Sequence, residues 1–208
     1  MDVLLIVDVE STCWKDRYAS TRTPEIIELG GTTLMNLDGK LEVLGSFTEF
    51  VKPQLHPKLS KFCKKLTSIR QEDVDNAPDF QTALKSFREK AKSTVNGLSC
   101  RRMVFGSWSP YDRKAIRKDC KRHGLRYPFG RYWDIEKSFS DYKEEQRLYS
   151  VTNALIALGL EYQGQVHRAV SDAENTATIV QESMSVEWKK YFEQFEEDAK
   201  NKRIRKGK

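Results

Sequence analysis

The sequence predicts an α/β domain in which helices flank a mixed five-stranded sheet. Strand patterns come first along the chain, and helical patterns then alternate with further strands, an order typical of this class. The 208 residues suit one domain with a proper core, and no Pro-, Gly- or Ser-rich linker divides them. We therefore predict one domain over residues 1–185, followed by a C-terminal helix and basic tail over residues 186–208.

Five segments have the apolar and β-branched character of strands. They cover residues 3–9, 26–34, 41–51, 102–105 and 132–135. The first segment, VLLIVDV, is almost wholly apolar, which is typical of a strand buried on both faces in the middle of a sheet. The turn residues Asn36, Asp38 and Gly39 separate the second and third segments, so we predict an antiparallel hairpin there.

Helical patterns cover residues 80–92, 111–123, 151–158 and 172–184, with a polar helix predicted from Val186 into the tail. Ser109 and Pro110 are typical of the N-cap and first position of a helix, and Asp112 could complete a capping box. Ser171 and Glu174 predict another capping box, which would place Asp172 in the first turn of the last patterned helix.

The composition excludes several classes of protein. Apolar residues make up 38% of the chain, too many for a wholly disordered protein, and no apolar run approaches the ~18 residues that a membrane helix needs. Three acidic residues among the first ten stand where a signal peptide would be basic and apolar. The cysteines are Cys13, Cys63, Cys100 and Cys120. Their irregular spacing predicts free thiols in a reducing, cytoplasmic setting.

The net charge of +6 comes from the end of the chain. Residues 200–208 hold six Lys and Arg and no acid, whereas the remainder has as many acidic as basic residues. The tail could contact phosphates or could be a solvated, frayed end. A further basic face is predicted on one helix, and its members are Arg113, Lys114, Arg117, Lys118, Lys121 and Arg122. That face could follow a phosphate backbone, although a solvated face opposite a core stripe is at least as common.

Two carboxylates lie at the end of the first predicted strand. The strand period of two puts Asp8 and Glu10 on the same face, where their charges repel each other. A divalent metal ion between them would offset this repulsion, and the alternative is that the strand ends there with solvated acids.

Three later residues could join this pair. Asp112 follows the predicted strand 102–105 and would lie at the same sheet edge if that strand neighbours the first one. His167 lies in the loop before the helix that carries Asp172. Each has an ordinary alternative, because Asp112 and Asp172 could serve only their helix ends and a lone loop histidine often has no special role.

The chain thus combines Asp-x-Glu on its first strand, Asp112 at a helix start, and His-x4-Asp near its end. This combination resembles the DEDDh pattern of 3′-to-5′ exonucleases in the DnaQ-like, RNase H-type superfamily. Three stretches are similar to the Eri and KapD-like exonucleases: DVESTC at 8–13, LSKFC with LTSI within 59–69, and SW at 107–108. The resemblance covers residues 3–184 and implies an RNase H-like fold.

The resemblance also implies a mechanism. Four carboxylates would hold two Mg²⁺ or Mn²⁺ ions around the terminal phosphodiester; they belong to Asp8, Glu10, Asp112 and Asp172. His167 would deprotonate the attacking water, and nucleoside 5′-monophosphates would be released. Hard divalent cations prefer carboxylate oxygens, and a neutral imidazole can accept a proton at physiological pH, so the residue types suit these roles. Ser171 departs from the commonest family pattern, in which an acid precedes Asp172, but that acid is not a metal ligand.

The expected substrate is the 3′ end of single-stranded nucleic acid. The family uses the backbone after the first acidic pair, here Ser11 and Thr12, to contact the terminal sugar, and Phe62 and Trp108 could stack on bases. Ordinary core packing is the alternative for both aromatic residues. The Eri-like stretches favour RNA; a DNA proofreading or repair exonuclease is the runner-up. A module that only binds nucleic acid is a further alternative. No membrane association is expected, and the sequence identifies no protein partner.

Overall fold

The protein is described from a computed structural model that covers residues 2–37, 40–96 and 102–184. Its strands are β1 (Asp2–Ser11), β2 (Ile26–Leu37), β3 (Lys40–Phe50), β4 (Arg102–Ser107) and β5 (Tyr132–Asp134). They form one sheet in the order β3-β2-β1-β4-β5. The pairs β1–β2 and β2–β3 are antiparallel, whereas β1–β4 and β4–β5 are parallel. The predicted mixed five-stranded sheet with a central first strand is therefore confirmed.

The helices are α1 (Lys61–Thr67), α2 (Gln71–Asp75), α3 (Phe80–Ser93), α4 (Pro110–Arg122), α5 (Ile135–Tyr142), α6 (Val151–Ala157) and α7 (Ala169–Ser183). A short 3-10 helix covers Ala19–Thr21. The four predicted helices are confirmed as α3, α4, α6 and α7. The others were not predicted, and α5 begins at Ile135, where the sequence predicted the end of β5. In the described residues, no helix combines the length and apolar character needed to cross a membrane.

Some predictions fall on residues outside the described ranges. These are the turn residues Asp38 and Gly39, Cys100, the helix predicted from Val186, and the basic tail. The antiparallel pairing of β2 with β3 is confirmed, because Leu37 of β2 pairs with Lys40 of β3.

Strand β1 is buried on both faces, as its continuous apolar sequence predicts. Leu4 and Ile6 pack with residues of α5, α6 and α7 on one face of the sheet. Leu5 and Val7 pack with residues of α3 and α4 on the other. Burying each of these side chains contributes about 1.5–3 kcal/mol to the stability of the fold. The centre of the sheet is therefore a rigid support for the residues at the end of β1.

Helix α7 packs unusually closely against β2. A Cβ atom on Gly30 would lie 2.1 Å from the main-chain carbon of Ala169, so only glycine permits this approach. The amide of Ala169 donates to Glu28 Oε2 at 3.0 Å, and this contact satisfies the first amide of the helix from a neighbouring strand. Helix α7 therefore begins at Ala169, three residues before its predicted start, and the predicted capping box of Ser171 and Glu174 is wrong.

Candidate active site

Asp8 and Glu10 lie near the carboxyl end of β1, on the face that packs against α7. Both are partly buried, and they share this face with Leu4 and Ile6 because side chains alternate along a strand. In the pairing with β2, Asp8 lies opposite Gly30 and Glu10 lies opposite Glu28. The strand therefore brings two carboxylates to the sheet edge beneath the start of α7.

Asp112 reaches this edge from the first turn of α4. Strand β4, which precedes α4, pairs directly with β1. The condition under which the sequence placed Asp112 at the same sheet edge as Asp8 and Glu10 is therefore met. Ser109 is the N-cap, and its hydroxyl accepts from the amide of Tyr111 at 3.3 Å. The carboxylate of Asp112 is buried and its Oδ1 accepts from the amide of Val9 at 3.1 Å, between Asp8 and Glu10. This main-chain bond fixes Asp112 against β1.

Asp172 and His167 complete the cluster from the other side. Potential ligand atoms of Glu10, His167 and Asp172 all lie within 4.8 Å of one another. The hydroxyl of Tyr162 donates to Asp172 Oδ1 at 3.1 Å, a contact that the sequence did not indicate. His167 is exposed and has a φ of +60°, a conformation that is uncommon for residues other than glycine.

Burial and neighbouring negative charge raise the pKa values of the four carboxylates. Burial raises the pKa of Asp8 well above its usual range, and the charges of Asp112, Asp172 and Glu10 raise it further. Burial and the charge of Asp172 raise the pKa of Glu10 to about 9. Burial raises the pKa of Asp112 to about 7, although the Val9 amide opposes this shift. Burial also raises the pKa of Asp172, against the hydrogen bond from Tyr162.

These shifts reflect the burial of several carboxyl groups close to one another. Hard divalent cations bind carboxylate oxygens, and a bound cation would favour the ionised forms that burial disfavours. The donor set of four carboxylates with one imidazole beside them therefore fits a divalent metal centre.

Glu28 is a charged residue of this region that the sequence analysis missed. Its side chain is fully buried, and its oxygens accept from Arg168 Nη2 at 2.9 Å and Nε at 3.1 Å. Thr48 Oγ1 and the Ala169 amide donate to the same carboxylate at 3.0 Å. Glu28 thus ties β2 to the residues that follow His167. A glutamate within the apolar run IIELGG was a usable signal, but its partner lies 140 residues away.

The residues predicted to contact substrate fall into different settings. Thr12 is buried, its amide donates to the Glu25 carbonyl and its hydroxyl accepts from the Glu25 amide, so these groups hold the chain after β1. Ser11 is buried beside it, whereas Phe62 on α1 is partly exposed. Substrate contact by Ser11, Thr12 and Phe62 stays a prediction.

The expectation for Trp108 is corrected. Its side chain lies in the core with only 7% of its surface exposed, and its ring packs against Phe139. The indole Nε1 donates to the Tyr149 carbonyl at 2.6 Å, so the polar end of the ring is also satisfied inside the protein. Core packing, the alternative that the sequence left open, is what the structure shows.

Comparison with known proteins gives consistent matches. Residues 5–180 match the RNase T family model, described as Exonuclease. "ERI1 exoribonuclease 2" of Danio rerio is 31% identical over 202 residues, covering 88% of this chain and 35% of that protein. "3'-5' exoribonuclease 1" of Rattus norvegicus is 34% identical over 183 residues, covering 86% of this chain and 52% of that protein. The chain thus spans about a third to a half of these relatives' length.

Solved structures show the same fold. The nuclease domain of 3'hExo, a DEDDh family member bound to rAMP, superposes with a TM-score of 0.76 at 29% identity, covering 86% of this chain and 90% of that one. A 3'-exonuclease described in 3'-end specific recognition of the histone mRNA stem-loop gives 0.77 at 28% identity, covering 86% of this chain and 62% of that one. The predicted RNase H-like class is therefore confirmed.

Proposed function

Because the chain belongs to the RNase T exonuclease family, we propose that it is a metal-dependent 3′-to-5′ exonuclease that acts on single-stranded RNA. The observation that carries the proposal is the meeting of four carboxylates and one histidine at the end of β1. Burial and the neighbouring carboxylates raise the pKa values of Asp8 and Glu10, and a ligand atom of His167 lies within 4.8 Å of those of Glu10 and Asp172. A site that only bound nucleic acid would gain nothing from such a concentration of negative charge.

In this mechanism, the carboxylates bind and orient. Asp8, Glu10, Asp112 and Asp172 would hold two divalent ions, which we take to be Mg²⁺ or Mn²⁺. When bound, such ions supply Lewis acidity that stabilises the attacking and leaving oxygens of a phosphodiester. The Val9 amide holds Asp112 in place, and the Tyr162 hydroxyl holds Asp172, so both ligands are oriented before substrate arrives.

His167 supplies the proton acceptor. Its exposed imidazole lies next to the carboxylates and can take the proton of an attacking water, a role for which a neutral imidazole is suited near neutral pH. Glu28 and Arg168 fix the chain directly after it. Attack on the terminal phosphodiester would release a nucleoside 5′-monophosphate.

RNA is the proposed substrate because of the relatives. The proteins at 31% and 34% identity are named exoribonucleases, and the solved relatives at 29% and 28% identity are described with rAMP and with a histone mRNA stem-loop. Since this chain covers only part of the named relatives, their substrates are proposals for this chain.

The test is a time course on matched 5′-labelled single-stranded RNA and DNA with Mg²⁺, Mn²⁺ or EDTA. We expect a metal-dependent ladder that shortens from the 3′ end, faster on RNA, with nucleoside 5′-monophosphates as products. Equal trimming of both oligomers would show no preference for RNA and would favour the runner-up, a DNA proofreading or repair exonuclease. If both oligomers bind but neither shortens with any metal, the chain is a binding module and the proposal is wrong.

A further inference from the structure

A groove runs from the end of β1 along helix α4. Its volume is about 230 Å³, and its walls include Ser11, Ile26, Tyr111, Lys114 and Lys118. Ser11 directly follows Glu10, and Tyr111 directly precedes Asp112. The α4 groove, defined by these five residues, is therefore lined by the chain neighbours of two members of the carboxylate cluster.

Two of the three lysines of α4 line the groove. The three arginines of this helix are already engaged: Arg113 lies over the Tyr132 ring, Arg117 lies over the Tyr127 ring, and Arg122 pairs with Asp119 at 2.7 Å. Lys114 and Lys118 are exposed one helical turn apart, and neither has an ion-pair partner in the described part of the chain. In the predicted basic face, the arginines thus contact other side chains of the protein, whereas Lys114 and Lys118 are available to a ligand.

The remaining walls suit the flat face of a base. The Tyr111 side chain is 51% exposed and lies beside Ser11 in the wall of the groove. The floor includes Asp119, but this carboxylate is buried, accepts from the Ile26 amide at 2.9 Å and pairs with Arg122. Its charge is therefore compensated within the protein, and Lys114 and Lys118 give the groove a net positive charge.

We propose that the α4 groove binds the nucleotides that precede the terminal one on a single-stranded substrate, with Tyr111 stacking on a base and Lys114 and Lys118 contacting phosphates. This inference rests on the proposed function for the direction in which the strand enters. A single strand combines regularly spaced negative charge with aromatic bases, which complements two lysines one turn apart beside an exposed ring.

The test measures binding of a 5′-fluorescein-labelled single-stranded octaribonucleotide by fluorescence anisotropy, with Mg²⁺, across a range of salt concentrations. All chains carry Asp8→Ala to prevent hydrolysis. Adding Lys114→Ala with Lys118→Ala should raise Kd at least about fivefold and lower the slope of log Kd against log salt by about 1.4, since each lost phosphate contact removes about 0.7. The matched control is Lys85→Ala with Lys137→Ala, which changes the charge equally on exposed positions of α3 and α5.

A second pair of variants tests the stacking surface. Tyr111→Leu should raise Kd about fivefold or more, whereas Tyr111→Phe, which keeps the ring, should bind within twofold of the parent. The proposal for the α4 groove would be overturned if the parent chain did not bind the octamer. It would also be overturned if the two double-lysine variants had equal Kd values and equal salt slopes.

These outcomes are separable from those of the proposed function. Hydrolysis is measured on the chain with Asp8 intact, so a chain that binds the octamer through the groove but cleaves nothing would refute the exonuclease and leave the groove standing. A chain that cleaves RNA, but whose two double-lysine variants bind the octamer equally well, would refute the groove and leave the exonuclease standing.

Discussion

The two halves of the candidate active site are positioned in different ways. Asp8, Glu10 and Asp112 sit on a fully packed strand and on a helix that is bonded to it by the Val9 amide. His167 lies in an exposed loop, at a residue with positive φ, and its neighbour Arg168 is fixed by buried Glu28. The carboxylate half is therefore rigid but electrostatically unfavourable by itself, whereas the histidine half depends on one long-range ion pair.

The largest effect is expected in the carboxylate half. Asp8→Ala removes an acid from the centre of the cluster, and we expect hydrolysis to fall by roughly 10³-fold or more, because metal-ion catalysis contributes several kcal/mol. The measurement is the initial rate of RNA shortening with Mg²⁺. Asp141→Ala, at an exposed acid on α5, is the matched control and should leave the rate unchanged. Normal turnover by Asp8→Ala would refute the assigned role.

The histidine half should respond differently. His167→Ala should lower kcat by about 10²-fold or more, the range of general base catalysis, while KM changes little because the carboxylates are intact. His123, at the C-cap of α4, provides the control variant His123→Ala. Steady-state kinetics across pH 5–9 separate the two parameters. A rise in KM with unchanged kcat would mean that His167 binds substrate instead of moving a proton.

A smaller effect is expected from the ion pair that supports His167. Arg168→Ala leaves Glu28 buried without its guanidinium partner, and we expect kcat to fall about 10- to 100-fold through misplacement of the histidine. Added guanidinium ion should partly restore kcat, which a general loss of folding would not allow. Arg70→Ala, which breaks an exposed ion pair on α2, serves as the control. Wild-type kinetics for Arg168→Ala would show that the position of His167 does not depend on this ion pair.

The smallest expected effect is on stability, and it reports mainly the carboxylate half. The folded-state pKa values of Glu10 and Asp112 are raised to about 9 and about 7. Between about pH 4 and these values, the folded chain holds protons that the unfolded chain has released, so the free energy of unfolding falls as pH rises. In EDTA, we expect Tm to fall by at least about 4 °C from pH 5 to pH 9.

Two comparisons check this assignment. Mg²⁺ should raise Tm more at pH 8 than at pH 5, because the cation replaces protons on the cluster. Asp8→Asn should flatten the pH dependence in EDTA. Acids with lowered pKa values, such as Asp16, Asp73 and Asp79, contribute stability that is lost only as pH falls below this window. A Tm in EDTA that is constant from pH 5 to pH 9 would contradict the electrostatic description of the site.

The sequence predicted the parts of the molecule that depend on local pattern. The apolar run of β1 indicated a central strand, and the period of two correctly put Asp8 and Glu10 on one face. The structure brings them together with Asp112, Asp172 and His167, although the role of each stays a prediction. The pairing of β1 with β4 was only a condition in the sequence argument, since no local signal specifies which strands are neighbours.

What the sequence could not predict depends on short elements or distant contacts. Helices α1 and α2 have 7 and 5 residues, too few for a helical apolar repeat to be recognised. The start of α7 was misplaced because Glu28, on another strand, satisfies its first amide. Trp108 was expected to offer a stacking face, but contacts with Phe139 and Tyr149 place it in the core.

The central claim is that the carboxylates at the end of β1 bind divalent metal ions. The most direct measurement is a Mn²⁺ titration followed by electron paramagnetic resonance, with wild-type chain and Asp8→Ala in parallel. We predict that the wild type removes two ions per chain from the free-ion signal and that Asp8→Ala removes fewer. Equal binding by both chains, or no binding by either, would contradict the claim.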